Sequence, residues 1–427
     1  MKKFGIIALA ALLVVAFTVP ASALENVFGG YWRTRFVTNQ NFTGEDATEA
    51  LDLSRVDTRT RLYYTAIIND NLKFVNKFEI DAVWGDTAWG DIGADGVDWQ
   101  IKNSYVDANI GPLNAKVGVQ GVTLGRGFLF SDDFAGMVLT YKGEGFAVPF
   151  IWMKPYEGGA GLNANDMDVD VYAIAPSFTL GDGITINPYL AWATSDDLSG
   201  WNPTANMGGG VIPALTEADI WYFGLDADMK FGPASIWFTG IYQSGSIDLP
   251  APLVDFDLES YLIAVGGAFD MGMFDIHGQF FYADGDDATT TDYETFFFPS
   301  QNTSTGQSYY WAEIMGYGIF DEQALQNVRT SDKIGNIWAV NLGSKIKPMD
   351  KLTVTVDLWY ASLVEDNNAA LDEAMGTEAD LKVSYQLVEG LNLDVVAAYL
   401  WADDAVTLNS ANEANPWELG AQLSLSF

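Results

Sequence analysis

The sequence predicts an all-β protein: a transmembrane, antiparallel, up-and-down β-barrel of about 18 strands (16–18), with short periplasmic turns and long extracellular loops. Three observations predict it. Apolar and polar residues alternate along many short segments, as in strands with one apolar face. Short turns and long polar links alternate between these segments. After the N-terminal segment, no apolar run is long enough for a membrane-spanning helix.

The C-terminal segment, 417–427, shows the alternation clearly. Its odd positions carry Trp, Leu, Ala, Leu, Leu and Phe, and its even positions carry Glu, Gly, Gln, Ser and Ser. Because successive side chains of a strand point to opposite faces, one face is apolar and the other polar. Segments 221–231, 352–360 and 391–401 follow the same pattern, with aromatic residues near the strand ends. Such aromatic residues are typical of the girdles at a membrane interface, so the apolar faces are predicted to contact lipid.

The connections between these segments predict the strand count. Eight short turns rich in Gly, Asn, Asp and Pro lie near 69–71, 111–113, 143–145, 181–183, 232–233, 271–273, 348–350 and 388–390. Nine longer links lie near 39–54, 85–95, 124–133, 157–167, 196–217, 248–256, 285–334, 365–377 and 403–415. They alternate strictly and join about 18 strands, which places both chain ends on the periplasmic side.

The N-terminus predicts export. Two lysines, a short apolar run, Pro20 and the small residues of 21–23 make residues 1–23 a signal peptide. A membrane anchor is the alternative, but the apolar run is short for one. Residues 24–427 are then a single outer-membrane β-barrel, located in the cell outer membrane of a Gram-negative bacterium.

Composition argues against several classes of function. The chain has 57 acidic and 21 basic residues, no cysteine and one histidine, His277. Cysteine-based metal sites and haem attachment are excluded, and a catalytic triad or multi-histidine metal site is disfavoured. We expect no enzyme activity, no cofactor, no metal and no nucleic-acid partner. Acidic links could bind Ca²⁺, but they lack the spacing of a calcium loop, so solvated or lipopolysaccharide-bridging links are favoured.

The polar faces of the first three strands concentrate basic residues. Charged side chains on a lipid-facing surface would cost about 2–4 kcal/mol each near the midplane, so these residues are assigned to the lumen. The predicted pore-lining basic ladder is Arg33, Arg35, Arg55, Arg59, Arg61, Lys73 and Lys77. The predicted pore-lining acidic residues are Asp57, Glu79, Asp81, Asp226, Asp228 and Asp275. The two sets could balance each other within the wall, or create a transverse field that selects solutes.

Two links are candidates for a constriction of the lumen. The link 285–334 is strongly aromatic, includes a helix-like stretch at 321–328, and could either enter the lumen or form an external lid. The constriction candidates are Arg126, Phe297, Tyr309, Tyr310 and Trp311.

Residues 100–143 resemble the alginate-export family of outer-membrane barrels. The resemblance rests on Gly118, Val119 and Gln120 at the family's Gly-Arg-Gln motif, on two loop glycines, Gly125 and Gly127, and on a following Phe-x-Gly at 134–136. It implies a monomeric 18-stranded barrel that passes an anionic polysaccharide through an arginine-rich lumen. Val119 replaces the motif arginine, and the few basic residues do not favour alginate.

A passive porin for small hydrophilic solutes is therefore the leading functional prediction. A dedicated polysaccharide or other substrate-specific transporter is the alternative, and a sheath around a partner protein is the third. The expected partners are outer-membrane lipid and lipopolysaccharide, the solute, and the barrel-assembly machinery, which would recognise the C-terminal Phe427. The oligomeric state is open between monomer and homotrimer.

Overall fold

The computed structural model describes residues 24–46, 52–85, 97–158, 168–196, 217–248, 255–287, 292–298, 309–320, 325, 328, 334–365 and 372–427. The predicted signal peptide, 1–23, lies outside these residues, as does most of the helix-like stretch 321–328. Among the described residues, no helix is long and apolar enough to cross a bilayer.

Nineteen strands, one short α-helix and one 3₁₀-helical turn (Gly125–Gly127) form the described fold. The strands are β1 (Glu25–Gln40), β2 (Leu53–Asn69), β3 (Leu72–Val83), β4 (Val97–Ile110), β5 (Leu113–Leu124), β6 (Phe130–Gly143), β7 (Phe146–Tyr156), β8 (Val169–Ile174), β9 (Ser177–Leu180), β10 (Ile184–Ser195), β11 (Glu217–Phe231), β12 (Ala234–Asp248), β13 (Phe256–Asp270), β14 (Phe274–Ala283), β15 (Ile337–Met349), β16 (Leu352–Ser362), β17 (Ala374–Val388), β18 (Leu391–Ala402) and β19 (Trp417–Ser426). Helix α1 spans Asp404–Thr407.

The strands form one closed antiparallel barrel. Consecutive strands pair with each other, and β1 also pairs with β19, which closes the sheet. Strands β8 and β9 are two halves of one strand position, because both pair with β7 on one side and β10 on the other. The barrel therefore has 18 strand positions, which confirms the predicted fold class and count.

The predicted alternation of short turns and long links is also confirmed. The short hairpin turns fall where Gly, Asn, Asp and Pro cluster. We call the end of the barrel with these turns the turn end, and the opposite end, with the long links, the loop end. Two links end four residues earlier than predicted. The link predicted at 365–377 ends at 373, because β17 begins at Ala374. The link predicted at 124–133 is only 125–129, because β5 extends to Leu124 and β6 begins at Phe130.

Outward and inward faces follow the sequence alternation. In β11, Trp221, Phe223 and Leu225 are exposed on the outside, whereas Ile220 and Tyr222 are buried inside the barrel. Buried aromatic residues of the lumen pack against segments that fold in from the loop end. The interior of the loop-end half is therefore a packed core rather than an open tube.

The last residue joins the first strand. Gly30 donates its main-chain N–H to the carbonyl oxygen of Phe427 at 2.8 Å, and the Phe427 N–H returns a bond of 3.2 Å. A Cβ at Gly30 would come within 2.4 Å of the Phe427 ring, so this close approach requires glycine. The C-terminal aromatic residue thus completes the closing pair of strands.

Candidate functional site in the lumen

The arginines of β1 and β2 lie on the inner wall beside carboxylates of the next strand. Arg35 lies opposite Asp57 in the β1–β2 register, and its Nε lies 2.9 Å from both carboxylate oxygens. Arg35 is only 4% exposed, so this pair is buried. Arg55 extends the pair, with its Nε 3.6 Å from Asp57. Arg33 is the next inward-facing residue of β1 towards the turn end, and it is buried opposite Arg59.

The same arrangement continues from β2 to β3. Arg59 donates from Nε and from a terminal nitrogen to Asp81, at 2.6 and 2.9 Å. Arg61 donates to Glu79, which also lies 3.5 Å from Arg59 Nε. Register explains these contacts, since Arg59 is opposite Asp81 and Arg61 is opposite Glu79. The wall is therefore a sheet of alternating charges held by cross-strand pairs.

The two predicted lysines of β3 occupy different surroundings. The Lys77 ammonium lies 5.1 Å from the ring centre of Tyr63, its partner across the β2–β3 pair. Lys73 is half-buried near the turn end and lies opposite Asp107 of β4. Both lysines thus continue the charged wall of β1–β4.

The remaining predicted acids lie on other parts of the wall. Asp226 accepts a hydrogen bond of 2.7 Å from the Thr239 hydroxyl. Asp275 lies 3.0 Å from Nδ1 of His277, whose Nε2 lies 2.9 Å from Asp357. The lone histidine therefore bridges two carboxylates of the lumen wall.

The turn 125–129 folds inward and carries Arg126. Arg126 has φ 56°, a left-handed conformation that is uncommon outside glycine. Its guanidinium donates to Asp228 at 2.8 Å and lies 4.8 Å from the ring centre of Trp237. Phe128 of the same turn stacks on Tyr309 with ring centres 3.7 Å apart. Two links thus meet inside the barrel.

Replacing Arg126 with alanine is expected to loosen this turn. The exposed ion pair and the cation–π contact are worth about 1–2 kcal/mol together. We expect amide hydrogen exchange of residues 125–129 to quicken by about tenfold, which corresponds to that free energy. Lysine at the same position retains the charge and is the matched control. Equal exchange in the alanine variant and the parent chain would contradict this prediction.

Of the two longer described parts of the long link, the first, 292–298, is anchored by hydrogen bonds from its main chain to side chains of the wall. Phe296, Phe297 and Phe298 are buried in the barrel. The Phe297 N–H donates to the Gln243 side chain at 3.1 Å, and its carbonyl accepts from the Tyr222 hydroxyl at 3.0 Å. The predicted candidate Phe297 is therefore part of the packed interior.

The second described part, 309–320, is held by carboxylates of β17. Glu378 is fully buried and accepts bonds from the N–H groups of Ile314 and Met315, at 2.7 and 2.8 Å. At its other end the Phe320 carbonyl accepts a bond from Arg35. We call this segment the inner segment. Its fold decides between the two interpretations of the link: the described part enters the lumen.

The predicted aromatic residues of the inner segment differ in exposure. Tyr309 donates to Gln279, and Trp311 packs edge-on against Trp359 with ring centres 5.0 Å apart. Tyr310 is 47% exposed and faces the open space of the lumen. Of these three, Tyr310 is the most exposed to a solute in the lumen.

A cavity of about 540 Å³ remains between the inner segment and the arginine-bearing wall of β1 and β2. We call this wall the arginine wall and this cavity the central cavity. Arg33, Arg59 and Arg61 line one side of it. The opposite side carries Glu313 of the inner segment with acids and a lysine of β16 and β17, namely Asp357, Asp380 and Lys382. The cavity therefore separates a basic wall from a largely acidic one, which is the arrangement of a transverse field.

Glu313 makes the inner segment sensitive to pH. Its carboxylate accepts a bond of 2.9 Å from the Ile319 N–H. Burial raises the pKa of Glu313 above its ordinary value, with further increases from Glu378 and Asp357, against opposition from the Ile319 bond and from Lys382. The folded-in position of the inner segment therefore favours the neutral acid. The stability of this position is complete below the ordinary pKa of a glutamate, and it is lost as pH rises through the raised pKa.

We therefore expect channel conductance to increase as pH rises above the ordinary pKa of a glutamate. Planar-bilayer recordings over a pH series measure this dependence. Glu313→Gln keeps the shape and removes the titration, so its conductance is expected to change less with pH. An equally steep dependence in Glu313→Gln would assign the titration to other groups.

Sequence reasoning placed the charged wall but did not single out the anchors of the inner segment. Glu378, Gln243 and Tyr222 each contact the main chain of the long link, and none was a candidate. A buried anchor and a pore-lining residue share the same inward parity, so alternation alone does not separate them. One sequence feature could have indicated an anchor: Glu378 and Asp380 are two acids on the same inward face of one strand.

Comparison with known proteins supports the fold. The chain matches no sequence family and no curated protein sequence. Among solved structures, it is similar to OccK9 (OpdG) of Pseudomonas aeruginosa, with 12% identity, a TM-score of 0.59 and coverage of 94% of this chain and 99% of that one. The chain shares the fold of this barrel. OccK8 (OprE) of the same species has 10% identity and a TM-score of 0.58, over 94% and 98% of the two chains. OpdK of the same species, solved with vanillate, has 10% identity and a TM-score of 0.57, with the same coverage.

Proposed function

We propose that the protein is an outer-membrane channel for passive diffusion of small hydrophilic solutes through a charged lumen. The observation that carries this proposal is the cavity between the arginine wall and the inner segment, which lies inside a closed barrel. A barrel of 18 strands is too wide for wall side chains alone to fill, and here the inward links narrow it. The remaining passage has the size of a small-molecule site.

The charged walls support selection by charge and dipole rather than by a catalytic step. A solute with separated charges would align between the basic and acidic sides of the cavity. OpdK, which shares the fold, was solved with vanillate, a small organic molecule. That observation supports a small organic solute for this channel, without fixing its identity.

A substrate-specific transporter, such as the alginate-export type, is the second candidate. Arg35, Arg59 and Arg61 would be its anion-binding residues, yet each already contacts a carboxylate. A long polyanion would have to displace these partners and pass the inner segment. The geometry therefore supports small solutes better than a polysaccharide.

The proposal includes the surroundings of the barrel. The outward apolar faces would contact lipid and lipopolysaccharide, and the barrel-assembly machinery would recognise the C-terminal Phe427. The closed sheet pairs its own edges, so a single chain completes the barrel, and a homotrimer would form through the outer faces.

Liposome swelling with the purified protein tests the function. We expect arabinose and glycine to enter protein-containing liposomes, and a tetrasaccharide to be excluded by the inner segment. Heat-denatured protein is the control for leakage. If arabinose enters no faster than into protein-free liposomes, the proposed diffusion channel is wrong.

A further inference from the structure

A second cavity lies against the barrel wall, beside the inward turn 125–129. Its volume is about 320 Å³, roughly twice that of an engineered cavity of about 150 Å³ that binds benzene. We call it the side cavity. Its apolar lining comes from β5, β6, β7 and the break after β8: Val122, Leu124, Val138, Pro149, Ile151 and Ala175. Water-filled lumens are lined by polar groups, so this apolar lining indicates a different ligand.

The polar side chains that line the side cavity come from β5, the inward turn, β10 and β11: Thr123, Arg126, Asn187, Tyr189, Asp226 and Asp228. Arg126 and Asp228 are already paired with each other. Tyr189 is buried, and its hydroxyl has no hydrogen-bond partner among the described residues. Gly224 lets the tyrosine ring lie flat, because a Cβ there would come within 1.9 Å of the ring. Asp226, which also lines the cavity, is an acceptor on the neighbouring strand. A buried hydroxyl without a partner is unfavourable, so it indicates a place for the polar group of a ligand.

The wall outside this cavity contains three prolines at one level. Pro149 lies in β7, Pro176 lies in the break between β8 and β9, and Pro188 lies in β10. Proline has no N–H group, so inside a sheet it removes a ladder hydrogen bond. In a closed barrel every strand has a neighbour on both sides, so no strand is an edge strand. Each of these prolines therefore weakens the wall.

The register places two of these prolines opposite each other. Ile174 is opposite Leu190 before the break, and Phe178 is opposite Ile186 after it. The register is unchanged across the break, so Pro176 lies opposite Pro188.

The hydrogen bond at the break shows which pairs are affected. Ala175 donates its N–H to the Pro149 carbonyl at 3.1 Å. Alternate residues of an antiparallel strand direct their hydrogen-bonding groups to opposite neighbours, so Pro176 faces β10. Neither Pro176 nor Pro188 can donate, and both bonds of their pair are missing. Pro149 cannot return the bond of Ala175, which makes a third missing bond.

We propose that the side cavity binds compact, uncharged amphipathic molecules, and that this proline break is a lateral outlet from the cavity into the membrane. The inference rests on the proposed channel function, because the ligand reaches the cavity through the lumen. The outer surface at the break is apolar, with Phe150, Ile174 and Phe178 exposed. A molecule leaving between β8–β9 and β10 would therefore enter hydrocarbon without crossing a polar surface.

The chemistry of the cavity defines the ligand class. The apolar lining suits an aromatic or short aliphatic body, and Tyr189 and Asp226 suit one hydroxyl or amino group. A charged group is disfavoured because it would not leave into hydrocarbon. The ligand is thus a small aromatic or aliphatic alcohol or amine in its neutral form, such as 1-naphthol, which serves as the probe below.

Cysteine protection tests the binding site. The chain has no cysteine, so Ala175→Cys introduces a single thiol into the side cavity. We expect saturating 1-naphthol to slow its reaction with a neutral methanethiosulfonate reagent by about fivefold or more. Thr355→Cys in the central cavity is the matched control, and its reaction rate is expected to be unchanged. Equal rates with and without 1-naphthol at Ala175→Cys would overturn the site.

Uptake by Gram-negative cells with intact lipopolysaccharide tests the outlet. N-phenyl-1-naphthylamine becomes fluorescent in hydrocarbon, and we expect cells with the parent chain to take it up faster than cells with an empty vector. The double variant Pro176→Val/Pro188→Val restores two donors to the wall, and its uptake rate is expected to fall to the vector rate. Uptake by the double variant at the parent rate would overturn the outlet.

Two further measurements keep the result interpretable. Val138→Phe fills the side cavity without changing the prolines. It is also expected to reduce uptake of the probe to the vector rate. Uptake at the parent rate in this variant would overturn a route through the side cavity. Arabinose entry into liposomes reports the proposed channel and is expected to be unchanged in both variants. Loss of probe uptake with normal arabinose entry supports the outlet, whereas a parent chain that passes no arabinose refutes the channel itself.

Discussion

Replacing Glu378 with alanine is expected to raise the single-channel conductance several-fold. Glu378 is fully buried and accepts the N–H groups of Ile314 and Met315, which hold the inner segment against β17. A buried N–H group left without an acceptor costs about 1–3 kcal/mol, so losing both acceptors costs about 2–6 kcal/mol. A change of about 1.4 kcal/mol shifts an equilibrium tenfold, so the inner segment would leave its folded-in position.

Two variants control this experiment. Glu378→Gln retains one acceptor oxygen and is expected to give an intermediate conductance. Asp394→Asn removes a carboxylate of the β18 wall that bonds to Ser384, not to the inner segment. Its conductance is expected to match that of the parent chain. If Glu378→Ala leaves the conductance unchanged, the inner segment is held by its other contacts, such as the bond from Arg35.

The second large effect is expected from changing Arg59 and Arg61 together to serine. Both face the central cavity, and their loss leaves Glu79 and Asp81 without these partners. The wall then gains two units of negative charge. We expect the cation-to-anion permeability ratio, from reversal potentials, to rise about threefold to tenfold at low salt. The increase is expected to shrink at high salt, since the Debye length is about 3 Å at 1 M.

A quadruple variant separates wall structure from selectivity. Adding Glu79→Gln and Asp81→Asn to the double serine variant removes the two unpaired carboxylates. If the charges act on the solute, the permeability ratio returns towards the parent value. An unchanged ratio in the double serine variant would show that the arginines serve only to bind the strands of the wall together.

Alternation in the sequence predicted most of the fold, because a barrel strand must separate lipid-facing from lumen-facing residues. The β1–β3 wall illustrates this: inward parity assigned Arg59 and Asp81 to the same face, and the β2–β3 register of the structure places them opposite each other. The link near 124–133 is shorter than predicted because Ser131, Asp132 and Asp133 resemble a polar loop in sequence, although they belong to β6. The burial of Phe128 in the remaining link depends on a contact with the distant Tyr309, which alternation does not encode.

The interior of the barrel was harder to predict for a related reason. The long link carries its own aromatic residues, and their burial depends on inward groups of strands remote in sequence, such as Gln243 and Glu378. The sequence therefore left an external lid and an inward segment equally open. The proline break was also missed, since each proline is unremarkable until the register places Pro176 opposite Pro188.

The closing pair of strands has a consequence for how the chain folds. Every other strand position pairs with its neighbour along the chain, but Tyr31 of β1 lies opposite Ser426 of β19. Forming this contact closes a loop of nearly the whole chain, which costs conformational entropy. It therefore forms slowly, whereas the hairpins form early. Until Phe427 meets Gly30, two unpaired edges stay open to other chains. A deletion of the last few residues would therefore leave these two strand edges unpaired. We expect the shortened chain to aggregate rather than to form a merely leaky barrel.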